Sequence, residues 1–123
     1  MKGLLLCMIL PAILLVNSST TLNAQCLEGN CRSGYGLFRF ANGDKYVGNW
    51  ANGQPHGQGK YYFASRERYE GDFRYGKFEG TGTMYYPDGA YYTGSWKKNQ
   101  KDGQGRLTRT NGATDDGLWV NGK

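Results

Sequence analysis

The sequence predicts an all-β fold assembled from consecutive β-hairpins, and three observations carry that prediction. Aromatic and glycine positions recur every 23 residues: Tyr46, Tyr69 and Tyr92, then Gly48, Gly71, Gly94 and Gly117, then Trp50, Phe73, Trp96 and Trp119. Within each 23-residue unit two short segments alternate with period two, the signature of half-buried strands. Beyond the amino terminus no 3.6-residue apolar pattern is long enough for a helix. Self-similarity at one fixed period is the mark of a repeat architecture.

The amino terminus stands apart. Lys2 precedes a 13-residue apolar run, Leu4 to Val16, and a polar stretch then offers a cleavage point after Ala24. That is the layout of a secretory signal peptide, so residues 1–24 are expected to be removed. The run is shorter than the roughly 20 apolar residues of a membrane-spanning helix, and Pro11 interrupts it. The leader implies a secreted or periplasmic chain, and its "NAQ" ending resembles bacterial secretory leaders. Cys7 would leave with the leader, and the remaining pair, Cys26 and Cys31, is expected to bridge within an amino-terminal segment, residues 25–33. Two lone thiolates make a poor zinc site, which usually wants four ligands.

The strands follow in order, near 34–40, 45–50, 57–63, 68–73, 80–86, 91–96, 103–109 and 114–119. In the second, Tyr46, Gly48 and Trp50 share a face, with Val47 and Asn49 opposite. In the third, Gly57, Gly59, Tyr61 and Phe63 share a face, with Gln58, Lys60 and Tyr62 opposite. The stretch between them, "ANGQPH", holds Asn-Gly and proline and is expected to turn. The same layout repeats around Tyr69, Gly71 and Phe73 with Gly80 and Gly82, and around Tyr92, Gly94 and Trp96 with Gly103 and Gly105. Units therefore run near 34–45 (partial), 46–68, 69–91, 92–114 and 115–123 (truncated).

Glycine on the aromatic face has a physical reason. A tyrosine or tryptophan ring is wider than a strand and lies flat over a neighbour only where that neighbour has no side chain. Rings also supply the burial that scarce aliphatic residues do not, at roughly 150–250 Å² each. Tyr46, Trp50, Tyr61, Phe63, Tyr69, Phe73, Tyr86, Tyr92 and Trp96 are expected to form one continuous strip, the core.

The stretches "YVGNWANGQPHGQGKYYF", "YEGDFRYGKFEGTGTMYYPDG" and "YTGSWKKNQKDGQGRLTRTNG" resemble the membrane occupation and recognition nexus, or MORN, repeat. The resemblance spans residues 29 to 122. It implies antiparallel hairpins forming one elongated, twisted sheet. The chain departs from the motif at Asn99 and Arg66, each in a glycine position, and at Asp115 in the tyrosine position. The last reads as a capping change, because an acid near an open edge discourages edge-to-edge pairing.

Several functions are excluded or weakened by the same pattern. A phosphate loop needs one glycine-rich turn between strand and helix, whereas these glycines recur throughout. His56, the only histidine, is aligned by the repeat with Ser33, Glu79 and Asp102, which marks it as a polar turn residue without catalytic partners. No nucleophile–base set can be assembled, and no cofactor or metal is implied. The net charge is +5, or +4 without Lys2, but the cations are scattered, so no nucleic acid is expected as a partner. What remains is a non-catalytic interaction or scaffold module. Its candidate contact face is the one opposite the core strip, with Lys60, Tyr62, Tyr85, Lys97 and Arg106. A protein partner or envelope surface is the first expectation, acidic phospholipid headgroups the second, and carbohydrate on an aromatic platform the third.

Overall fold

The computed structural model describes residues 23–123. The expected leader falls on residues 1–24, so all of it but Asn23 and Ala24 lies outside the described residues. Nine strands follow in chain order: β1 (Gln25–Gly29), β2 (Gly34–Arg39), β3 (Lys45–Ala51), β4 (Gln54–Tyr62), β5 (Arg68–Arg74), β6 (Lys77–Tyr85), β7 (Tyr91–Lys97), β8 (Gln100–Thr108) and β9 (Thr114–Trp119). They form one sheet in sequential order, every neighbour antiparallel, and the described residues contain no helix.

Two expectations are corrected. The segment 25–33 is not only a disulfide loop, because its first five residues pair with β2 as a ninth strand. And β4, β6 and β8 begin three residues earlier than expected, at Gln54, Lys77 and Gln100. The turn in "ANGQPH" is Asn52–Gly53 alone, flanked by the pair Ala51↔Gln54. Both turn residues have positive φ, 53° and 74°, as do Tyr75–Gly76, Lys98–Asn99 and Asn121–Gly122. Positive φ at both central residues is the two-residue hairpin turn whose twist matches that of the strands. Gln54, Pro55 and His56 then enter the strand because a bulge absorbs the surplus. Between Trp50↔Pro55 and Gly48↔Gly59, β3 holds one residue and β4 holds three. His56 is thereby a strand residue, not a turn residue.

Adjacent hairpins are stapled at the same repeat position. The second turn residue donates its N–H one hairpin back: Gly53 to Arg32 O at 2.9 Å, Gly76 to Pro55 O at 2.8 Å, Asn99 to Phe78 O at 3.1 Å and Gly122 to Lys101 O at 2.9 Å. Asn99 can replace glycine here because the bond comes from its backbone and asparagine tolerates a φ of 70°. Its side-chain oxygen also accepts from Phe78 N at 2.9 Å.

The core is one face of a single layer. Tyr46, Tyr69 and Tyr92 are fully buried, and Trp50, Phe73, Phe78, Met84 and Trp96 nearly so. Phe38, Phe40, Tyr61, Phe63, Tyr86, Leu107 and Trp119 are partly buried against them, so the expected strip is continuous. Each unit repeats one packing device. The tyrosine ring covers the glycine of the next strand, where a Cβ on Gly59, Gly82 or Gly105 would clash at 2.0–2.6 Å with the hydroxyl end of Tyr46, Tyr69 or Tyr92. The hydroxyls donate to the carbonyl three residues further along their own strand, Tyr46 to Asn49 O at 2.8 Å and Tyr69 to Asp72 O at 2.9 Å. Trp50 and Trp96 donate their indole N–H to Gly36 O and Gly82 O at 3.0 and 3.1 Å.

At the amino-terminal end a disulfide replaces the ring. Cys26 and Cys31 are at bonding distance with Cα atoms 5.9 Å apart. Cys26 stands opposite Phe38 as Tyr46 stands opposite Tyr61, and a Cβ on Gly36 would come 2.9 Å from Cys31 Sγ.

Candidate interaction surface

The face opposite the rings is a register of cross-strand rows, one residue per strand. The first row runs Arg39, Lys45, Tyr62, Arg68, Tyr85, Tyr91, Thr108 and Thr114 across β2 to β9. The second runs Leu37, Val47, Lys60, Glu70, Thr83, Thr93, Arg106 and Asp116. Neighbouring strands stand about 4.8 Å apart, which places residues adjacent in a row within side-chain reach of each other.

This register brings some of the expected contact residues together and separates others. Lys60 and Tyr62 are exposed neighbours on β4, and Tyr85 lies in the Tyr62 row with Arg68 between. The Arg68 guanidinium sits over the Tyr85 ring at 4.1 Å and pairs with Glu70 at 2.6 Å. Tyr85 and Tyr91 rings lie 5.9 Å apart. Arg106 is on the same face but is held by Asp116 through two bonds, at 2.5 and 2.9 Å. That bond holds the Asp116 carboxyl below its ordinary range. Lys97 pairs with Gln100 beside the hairpin turn and belongs to neither row.

Sequence reasoning missed Arg39, Lys45, Arg68 and Tyr91 as members of this surface. Their membership depends on strands from different units meeting in one row, which a scan of scattered charges does not reveal. It also missed Asp44, the one buried charged residue among the described residues. Asp44 accepts from the Tyr61 hydroxyl at 2.6 Å, Ala64 N at 2.8 Å and Asn42 Nδ2 at 3.2 Å. These bonds tie the 40–44 loop to the next one, a structural role.

Burial pushes the phenols of Tyr46, Tyr61 and Tyr69 well above their ordinary value, and at Tyr61 the hydrogen bond to Asp44 adds to it. Burial thus favours the neutral phenol, which donates to Asn49 O, Asp44 and Asp72 O. His56 Nδ1 accepts from Tyr75 N at 3.1 Å, with its ring 4.9 Å from the Tyr75 ring. Among the described residues no group of three or more histidine, cysteine, aspartate or glutamate side chains could hold a metal ion. No helix among them is long and apolar enough to cross a membrane.

A single-layer sheet of stapled hairpins with one aromatic and one polar face defines a repeat-type interaction module. The MORN repeat family model matches residues 30–45, 46–68, 69–91 and 92–114, and the chain belongs to that family. No curated protein matches it.

Proposed function

We propose that the chain is a non-catalytic scaffold, exported by its amino-terminal leader, whose outer face docks a partner protein. The observation that carries this reading is the row Lys45, Tyr62, Arg68, Tyr85 and Tyr91. Three tyrosines lie side by side with cations there, Tyr62 and Tyr91 being 40% and 38% exposed. Tyrosine and arginine are the residue types that dominate protein-binding hot spots, because each presents a large rigid contact area with a polar end. On the other face the rings bury one another, which favours a structural role there.

Acidic phospholipid headgroups are the second reading, favoured by the same cations, though no polybasic cluster of the lipid-reading kind is present. Two measurements separate them. Affinity capture with the Tyr62→Ala/Tyr91→Ala chain against the unaltered one should lose a specific protein. Flotation with vesicles containing phosphatidylglycerol should leave the chain unbound. Flotation that vanishes with Lys60→Glu, and capture that does not change, would reverse the assignment.

A further inference from the structure

Arg39 and Lys45 face each other directly across β2 and β3 on the outer face. Like charges in that position destabilise a sheet, since their Cβ atoms lie only about 4.5–5.5 Å apart. Among the described residues neither makes an ion pair. Arg39 Nη2 reaches only Gln25 Oε1 at 3.4 Å, and its buried Nε has no acceptor. The acids nearest in register are Glu28, opposite Leu37, and Glu70, opposite Lys60. Glu70 is already taken by Arg68, and among the described residues Glu28 makes no ion pair with either cation.

The surroundings of this pair are shaped. Two hollows meet at Val47 and Tyr62. One, of about 440 Å³, runs from Tyr35 past Lys60, and the other, of about 480 Å³, is bounded by Leu37 and Lys45. Tyr35 is 65% exposed and forms an outer wall. Leu37, Val47 and the Tyr62 ring are apolar, Lys45 and Lys60 bring cations to the lining, and Glu70 and Gln58 stand at the far side of the first hollow. Beside the Arg39–Lys45 pair, an occupant therefore needs carboxylates flanking an apolar side chain.

We infer that this end of the outer face, across β2 to β4, binds an acidic segment of the partner protein. Its carboxylates would pair with Arg39 and Lys45, and an apolar side chain between them would rest on Val47. The uncompensated pair is what selects the occupant. Two cations held together without an acid repel each other until a carboxylate arrives, and carboxylates bind arginine in a planar, two-bond geometry. The inference rests on the reading of the outer face as a protein-docking surface and names the chemistry of what docks.

The test uses the full chain and three synthetic peptides of equal length with one central leucine. One is glutamate-rich, one glutamine-rich and one lysine-rich. The glutamate-rich peptide should bind, more weakly as salt rises. Arg39→Gln/Lys45→Gln should weaken binding at least tenfold while leaving the melting temperature unchanged or higher, because the repulsion is relieved. Arg39→Lys/Lys45→Arg, which keeps both charges, should retain binding. Lys77→Gln/Lys98→Gln, an equal loss of charge elsewhere, should change it less than twofold. Equal binding of the glutamine-rich peptide, or no effect of Arg39→Gln/Lys45→Gln, would overturn the inference. So would tighter binding of phosphatidylglycerol vesicles or of a single-stranded oligonucleotide than of the glutamate-rich peptide. If a partner protein is captured through Tyr62 and Tyr91 but the acidic peptide does not bind, this inference falls while the docking surface stands. If neither binds, both fall.

Discussion

The ring of Tyr46 lies across the backbone of Gly59 on the neighbouring strand, where any Cβ would come 2.2–2.4 Å from the phenol's Oη, Cζ and Cε1. Gly59 is not in the left-handed region, so the requirement for glycine there is one of space and not of backbone conformation. Gly59→Ala is therefore expected to destabilise the chain by about 1–3 kcal/mol, the usual cost of overpacking. Gly53→Ala is the comparison. Nothing lies within 4 Å of its Cβ position, and its φ of 74° alone should cost about 1 kcal/mol. Urea denaturation of the two variants distinguishes a steric from a conformational glycine.

Arg66 carries the opposite prediction. It occupies the position that Gly43, Gly89 and Gly112 hold in the other interhairpin loops, and it adopts their conformation, with φ at 84° against 97°, 96° and 89°. Its N–H donates to Phe63 O at 2.9 Å, as theirs do to Phe40, Tyr86 and Arg109. The loop geometry is thus imposed on a residue that resists it by about 1–2 kcal/mol. Arg66→Gly should stabilise the chain by about 1 kcal/mol in thermal or chemical denaturation. No gain would mean that the arginine side chain compensates for its backbone.

These two positions mark what could be read from the chain alone. The period located the rings that recur in each unit and the glycines they cover, because that device is identical from unit to unit. Phe78 was not singled out, since its equivalents are Pro55 and Lys101 and no repeat signal survives there. Yet it stacks on Tyr69 with centroids 4.0 Å apart. The early starts of β4, β6 and β8 were illegible because turn formers in "ANGQPH" outnumber the two residues that turn, and a bulge leaves no compositional trace. β1 has five residues and no alternation. Of the contact surface, Lys60, Tyr62 and Tyr85 were legible from strand parity, whereas the Arg39↔Lys45 pairing required the register between β2 and β3.

The buried phenols predict how stability depends on pH. Desolvation raises Tyr46, Tyr61, Tyr69 and Tyr92 above their ordinary value of 10.0. A folded-state value above the unfolded one means that the neutral form is favoured by folding. Its contribution is complete below 10.0 and is lost as pH rises beyond it. The melting temperature should hold through neutral pH and fall in the alkaline range, with tyrosinate absorbance appearing together with unfolding. Tyr46→Phe removes one titrating group and should flatten that alkaline fall. A tyrosinate signal that develops fully while the fold persists would contradict the burial of these hydroxyls.

Asp115 stands where Tyr46, Tyr69 and Tyr92 stand, on the outermost strand among the described residues. In the inner units the tyrosine lies over the glycines of its own and the next strand, and a Cβ on Gly48 or Gly71 would run into the backbone of that next strand. At Gly117 nothing lies within 4 Å, so a ring at position 115 would have an open edge beneath it. Asp115 instead turns to Arg109 and keeps a charge at that edge. Edges are kept from pairing with other chains by such charges. Asp115→Tyr should therefore restore the ring without restoring a strand for it to cover, and the edge should recruit one from another molecule. Loss of the exposed Arg109 pair should itself cost little, since such pairs contribute about 0–1 kcal/mol. Sedimentation velocity over a range of concentrations should show Asp115→Tyr associating where the unaltered chain does not. Asp115→Asn, which removes the charge without adding a ring, should fall between them. If both variants sediment as the unaltered chain does, the acid is not what keeps this edge unpaired.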